Sequence, residues 1–263
     1  MIKIAVNGAA GRMGQRIVAL AIESGQFDIV SATEEAGHDA IGTDIGELAG
    51  VGHFGMELTD APGDDVPDVM IDFSLPEGTM KAIEYCRSNG VAMIIGTTGL
   101  TESQEATVAD AASEIAIVHA GNYSVGINLL VKLVAEAARI LGETYDIEIA
   151  ETHHRFKKDA PSGTAIMLAK SICQATGKTY GETAIFGRGG HQPRNAGEIG
   201  MHALRVGDTV GEHEVHFGNL GETVTLSHSA HTRDTFVRGA LRAALWIANK
   251  GPGMYDIGDV LGL

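Results

Sequence analysis

The chain has 263 residues, enough for two domains with cores of their own. Its 34 acidic residues against 19 basic ones give a formal charge of −15, which excludes nucleic acid as a partner and argues against attachment to an anionic membrane surface. Cys86 and Cys173 lack paired or metal-type spacing, no signal peptide precedes the first strand, and no apolar run reaches the roughly 18 residues that span a bilayer, so a cytoplasmic protein without a membrane segment is expected.

Residues 1–6 read as a short apolar strand that runs into Asn7-Gly8-Ala9-Ala10-Gly11-Arg12-Met13-Gly14 and then into an amphipathic helix at 15–24. Strand, glycine turn and helix in that order are the setting of a dinucleotide fingerprint. The turn must be tight, the backbone must approach a pyrophosphate, and the helix must pack closely on the strand. Residues 28–33 form the next strand, and Glu34 ends it twenty positions after Gly14, where an acidic side chain meets ribose hydroxyls. Glu35 follows, so a 2′-phosphate would face two carboxylates. NADH is therefore the expected cofactor, with NADPH as the alternative if a basic group such as Arg12 reaches the phosphate.

Strands at 69–73, 92–95 and 115–119, the first two followed by helical sequence, complete a doubly wound pattern. Ligands of such sheets sit at the carboxyl ends of the strands. Gly96, Thr97 and Thr98, with Gly121, Asn122 and Tyr123, are thus candidates for the nicotinamide side of a cofactor site.

A long amphipathic helix is expected at 125–141. A strand alternating over 147–151 and a helix over 164–170 then bracket the polar run from Glu151 to Ala165, read as the joining loop. Ser162 stands at or just before the helix start, where Gly163 and Thr164 offer N–H groups with no partner inside the helix. With Lys157 and Lys158 upstream, this end suits a small carboxylate or phosphate. His153 and His154 are the titrating groups, and side chains of neighbouring residues on an extended chain point opposite ways. One of the two is a candidate general acid.

From 183 to 229, alternating segments and glycine-rich turns predict an antiparallel sheet region without long helices. A helix returns at 235–248, with Phe236, Leu241, Leu245 and Trp246 as its expected buried face, packing on the first domain. The expected fold is α/β: a Rossmann-like, doubly wound parallel-sheet domain (1–124 and 234–263) plus a smaller α+β domain with a mostly antiparallel sheet (125–233). Residues near Ser124 and Arg233 are expected hinges. His191, His202, His213, His216, His228 and His231 are read as surface or interface residues, and no metal is expected.

Five segments now stand in order along almost the whole chain: Gly8 through Gly14, Asp72-Phe73-Ser74-Leu75-Pro76-Glu77-Gly78-Thr79, Ile95-Gly96-Thr97-Thr98-Gly99, Asn122-Tyr123-Ser124-Val125-Gly126-Ile127-Asn128, and Glu151-Thr152-His153-His154 through Gly163-Thr164-Ala165. Together they resemble the 4-hydroxy-tetrahydrodipicolinate reductase family. The resemblance implies nicotinamide-dependent reduction of a small heterocyclic dicarboxylate, in lysine and diaminopimelate biosynthesis, by a homotetramer joined through its smaller domains. It also implies that His153 donates the proton with Lys157 assisting, that His154, Ser162, Gly163 and Thr164 hold the carboxylates, and that Arg233 is a hinge or substrate arginine. The cofactor would be held by Gly8, Ala9, Ala10, Gly11, Arg12 and Met13, by Glu34, by Gly96, Thr97 and Thr98, and by Ala120, Gly121, Asn122 and Tyr123. Many relatives carry an arginine where this chain has Glu35, which again points away from NADPH.

Two rival readings differ in what they require. A phosphorylating semialdehyde dehydrogenase needs a catalytic thiolate, for which Cys86 and Cys173, both in expected helices, are poorly placed. A non-catalytic NADH sensor has no use for His153, Lys157 and the Ser162-Gly163-Thr164 turn.

Overall fold

Ile4, Ala5 and Val6 are all buried, so the first strand is covered on both faces, as strands of a parallel sheet are. The computed structural model describes all 263 residues. Residues 1–125 and 234–262 form one compact unit and residues 126–233 another.

The first unit contains β1 (Ile2–Asn7), α1 (Arg12–Ser24), β2 (Phe27–Thr33), α2 (Ile45–Leu48), β3 (Val69–Asp72), α3 (Pro76–Asn89), β4 (Ala92–Ile95), α4 (Glu102–Ala111) and β5 (Ala116–His119). The chain then passes through α5 (Val125–Leu141) into the second unit: β6 (Asp146–His153), α6 (Gly163–Thr176), α7 (Tyr180–Thr183), β7 (Ala184–Phe186), β8 (Ile199–Arg205), β9 (Gly211–Asn219) and β10 (Glu222–Ala230). It returns to the first unit with α8 (Asp234–Ile247), β11 (Gly253–Tyr255) and α9 (Ile257–Leu261).

All six strands of the first sheet are parallel, in the order β11-β5-β4-β3-β1-β2. One core lies between this sheet and α1 and α8, and a second between the sheet and the α3–α4 side. The loops after β1, β3, β4 and β5 therefore leave the same edge of the sheet. β11 is too short to show in a sequence pattern. The buried face of α8 also differs from expectation: Val237, Ala240, Leu241, Ala243, Ala244 and Ile247 are buried, while Phe236 and Trp246 are partly buried and Leu245 is exposed. The cause is close approach at Gly239, where a Cβ would lie 1.7 Å from the Tyr123 carbonyl oxygen, so the helix packs through its small residues.

The second sheet has the order β10-β9-β6-β8-β7 and is mixed. Its long β9–β10 and β6–β9 ladders are antiparallel, whereas β8 runs parallel to both β6 and β7. One face carries Ile147, Ile149, Val215 and Phe217, packed with α5 and α6 residues into a single core. The strand at the centre of this sheet, β6, is the one that carries the polar motif.

Candidate active site

Side chains of β6 alternate between faces, and the buried set is Ile147, Ile149, Glu151 and His153. The strand thus continues two residues beyond its expected end, and both polar residues lie on the core face instead of in a loop. Burial of a carboxylate requires partners, and Glu151, 1% exposed, has them. Arg205 donates from Nη1 to Oε2 and from Nη2 to Oε1, both at 2.8 Å, and the Ser162 amide donates to Oε1 at 3.0 Å. His153 Nδ1 lies 2.5 Å from Oε2.

The sheet register explains this convergence: β6 pairs Glu151 with His213 of β9 and His153 with Arg205 of β8. His213 is 3% exposed, and its ring meets that of His153 edge-on with centroids 5.2 Å apart. Ser162 Oγ accepts the Ala165 amide as the cap of α6 and shares a hydrogen bond of 3.1 Å with His213 Nε2. His213, expected from sequence as a surface or interface residue, is instead a buried member of this cluster. On β9 it shares the inward face with Val215 and Phe217, a period-two signal that was present in the chain.

These contacts set the protonation states. Burial pushes the Glu151 carboxyl up, but Arg205, then His153 and the Ser162 amide outweigh it and hold it below the usual range. Burial lowers the His153 imidazole; Glu151 raises it, Lys157 and Arg205 lower it further, and the net direction is downward. For His213 burial comes first, reinforced by His153, and its pKa is pushed down to about 3, so this ring is neutral.

The remaining residues of the motif surround this cluster or lie beside it. Lys157 Nζ pairs with Asp159 Oδ2 at 2.9 Å. Arg205 Nη2 also donates to the Asp159 carbonyl at 2.6 Å, tying β8 to the loop that carries Lys157. His154 is half-buried, its Nδ1 enclosed without a hydrogen-bond partner and its ring 6.2 Å from that of Phe156. Gly163 is exposed and Thr164 half-buried in the first turn of α6, whereas Lys158 and Arg233 are exposed. Sequence reasoning did not select Arg205: its partner Glu151 stands 54 positions away, and no local pattern marks the pair.

In the first unit, the turn after β1 has the geometry of a phosphate cradle. Gly8 adopts φ +78, and a Cβ there would lie 2.8 Å from the Phe73 carbonyl oxygen. A Cβ on Gly14 would lie 2.2 Å from the Gly8 carbonyl oxygen, so α1 packs directly under the turn. The N-cap of α1, Gly11, supplies no side-chain cap, and no acidic residue occupies the first turn, which leaves helix N–H groups beside Arg12 and Met13 for an anion. The amides of Gly8 and Ala9 bond the Thr33 carbonyl, and Ala10 N–H donates to Glu34 Oε2 at 3.1 Å. Glu34 is thus joined to the turn.

Beside Glu34 lies a cleft of about 350 Å³. Glu34, Glu35, Asp60 and Glu77 line it, and Lys81 is its one basic residue; Arg12 is not among the lining residues. Above it, Asp72 is fully buried and accepts from Asn7 Nδ2, Ser74 Oγ, Thr79 Oγ1 and Thr97 Oγ1 at 2.6–2.9 Å, joining the ends of β1, β3 and β4. The Thr97 side chain is consequently a brace, while Gly96 is half-buried and Thr98 exposed. Tyr123 is 2% exposed, with its hydroxyl on the Ile95 and Val118 carbonyls, so its side chain is occupied by the core. Ala120 and Asn122 are half-buried and Gly121 exposed beside it.

Residues 2–123 match the family described as dihydrodipicolinate reductase, N-terminus, and residues 126–261 the one described as dihydrodipicolinate reductase, C-terminus. The chain is 46% identical over 266 residues to the 4-hydroxy-tetrahydrodipicolinate reductase of Citrifermentans bemidjiense, covering 100% of both chains. It is 46% identical over 268 residues to that of Alkalilimnicola ehrlichii, covering 99% of each. Among solved structures, the dipicolinate-bound dihydrodipicolinate reductase of Paenisporosarcina sp. TG-14 matches with a TM-score of 0.73 at 24% identity over 97% of each chain. A myo-inositol dehydrogenase of Corynebacterium glutamicum matches with a TM-score of 0.61 at 12% identity over 96% of this chain and 90% of its own. These two likenesses are likenesses of fold. No helix is long and apolar enough to cross a membrane.

Proposed function

The chain belongs to the dihydrodipicolinate reductase family, and from that premise we propose that its first unit holds the nicotinamide nucleotide and its second the dicarboxylate heterocycle. The protein is an oxidoreductase, a 4-hydroxy-tetrahydrodipicolinate reductase of lysine and diaminopimelate biosynthesis. Bound NAD(P)H supplies the hydride. The observation that carries the assignment of roles is the buried run of bonds from Arg205 through Glu151 to His153, which ends in a single unpartnered imidazole nitrogen.

Reduction of a ring imine conjugated to the acceptor carbon leaves negative charge on an enamine until a proton arrives. His153 supplies that proton from Nε2, the nitrogen not turned towards Glu151, and general acid catalysis of this kind contributes about 10²–10⁴-fold. Lys157 and the first turn of α6 at Gly163 and Thr164 offset the charge of the carboxylates, with His154, Ser162 and Arg233 completing the substrate set. On the nucleotide side, residues 8–13 receive the pyrophosphate and Glu34 the ribose. Residues 96–98 and 120–123 frame the nicotinamide, Thr97 and Tyr123 through their backbone.

NADH is the preferred cofactor in this reading. Four carboxylates line the cleft beside Glu34 against Lys81 alone, a balance that disfavours a 2′-phosphate. The active form is a cytoplasmic homotetramer assembled through residues 125–233. The test is oxidation of NADH and NADPH, side by side, on heterocycle generated in place from pyruvate and aspartate semialdehyde. The expected result is turnover with both and a higher kcat/KM for NADH. Equal values would overturn the cofactor preference, and absence of heterocycle-dependent oxidation would overturn the assignment of roles.

A further inference from the structure

Resting on the reading of His153 as proton donor, we propose that Glu151 and Arg205 form a positioning pair that fixes which nitrogen of His153 delivers the proton and aims it. Three independent features of the geometry carry this.

The first is direction. Glu151 is ionised and accepts only, so its 2.5 Å contact places the proton of neutral His153 on Nδ1. Nε2 then gains the mobile proton when the ring is charged. No protein group bonds Nε2, and a Cβ on Gly211 would lie 3.1 Å from it. Glycine at 211 therefore leaves open the side from which Nε2 is reached.

The second is rigidity. A carboxylate with one partner can rotate about its terminal torsion, but Glu151 is held by both arms of a planar fork and by the Ser162 amide. The same guanidinium grips the Asp159 carbonyl, and Asp159 holds Lys157. One cation thus sets both the carboxylate behind the donor and the loop that carries its assistant.

The third is charge. The groups facing His153 are Glu151 on its own strand, Arg205 from β8, His213 from β9 and Lys157 from the loop. His213 is neutral, and Lys157 is balanced by Asp159, so Glu151 is the one anion that supports the protonated imidazole. Removing it leaves Arg205 and Lys157 acting in the opposite sense.

The experiment combines ¹⁵N NMR titration of histidine-labelled protein with kcat–pH profiles for the unmodified enzyme, Glu151→Gln and Arg205→Lys, with His153→Gln as reference. In the unmodified enzyme, neutral His153 is expected as the Nδ1–H tautomer, and kcat falls as pH rises through the His153 pKa. Glu151→Gln is expected to give a mixed tautomer and to move the pKa and the kcat limb down together by about 1–3 units, with KM changed less than about twofold. Arg205→Lys conserves charge but loses the fork, so kcat is expected to fall with the limb unmoved.

Unchanged tautomer and pKa in Glu151→Gln, or a fall in its kcat without movement of the limb, overturns the positioning role. If Glu151→Gln does not fold, unaltered kcat in Arg205→Lys overturns it instead. Undiminished kcat in His153→Gln overturns the donor assignment beneath the proposal, and the two failures are thereby distinguished.

Discussion

Replacement of His213 by glutamine should make the protein resist mild acid, although the change sits in the middle of its site. In the folded chain the His213 pKa is pushed down to about 3, against about 6.5 unfolded. Between those values the unfolded chain binds a proton that the folded one refuses, so the stabilisation is fully present above pH 6.5 and is lost as pH falls. From pH 7.5 to 5.0 the loss from this one group is about 2 kcal/mol, and any folded value below about 4 gives the same figure. Glutamine can donate to or accept from the Ser162 hydroxyl and does not titrate. The assay is urea unfolding of both proteins at pH 7.5 and 5.0 at equal protein concentration. Glutamine should be the less stable at pH 7.5, because packing against His153 is lost, and the gap should narrow by about 2 kcal/mol at pH 5.0. A gap that stays constant would show that His213 is hydrated or charged in the folded state and would refute the protonation pattern assigned to the site.

Two further outcomes are expected in the first unit. Gly14→Ala puts a methyl 2.2 Å from the Gly8 carbonyl oxygen, so the turn must shift; NADH affinity measured by fluorescence titration should fall at least about tenfold, or 1.4 kcal/mol. Thr97→Val removes one of the four side-chain donors to buried Asp72 and should cost about 1–3 kcal/mol in chemical unfolding.

The elements governed by local rules were legible in the sequence. Glycines 8, 11 and 14 between a strand and an amphipathic helix announce the turn, because few other residues meet its φ and contact demands. Ser162 as the cap of α6 was readable for the same reason. What stayed hidden depends on partners far along the chain. The β6 pattern seemed to stop at Glu151 because a charged residue on a core face looks wrong until Arg205, 54 positions on, is known to satisfy it. The parallel course of β8 beside β6, which brings Arg205 opposite His153, is a property of the crossover and not of either strand. Small residues on α8 face the core because the backbone at Tyr123 approaches them, and hydrophobicity alone favours the larger neighbours instead.

The central claim is that His153 protonates the heterocycle as hydride arrives. Its most direct test is His153→Gln, measured for kcat on heterocycle formed in place and, separately, for NADH dissociation constant. With His153 as the proton donor, kcat falls by about 10²–10⁴-fold while the dissociation constant stays unchanged. A kcat close to that of the unmodified enzyme would contradict it.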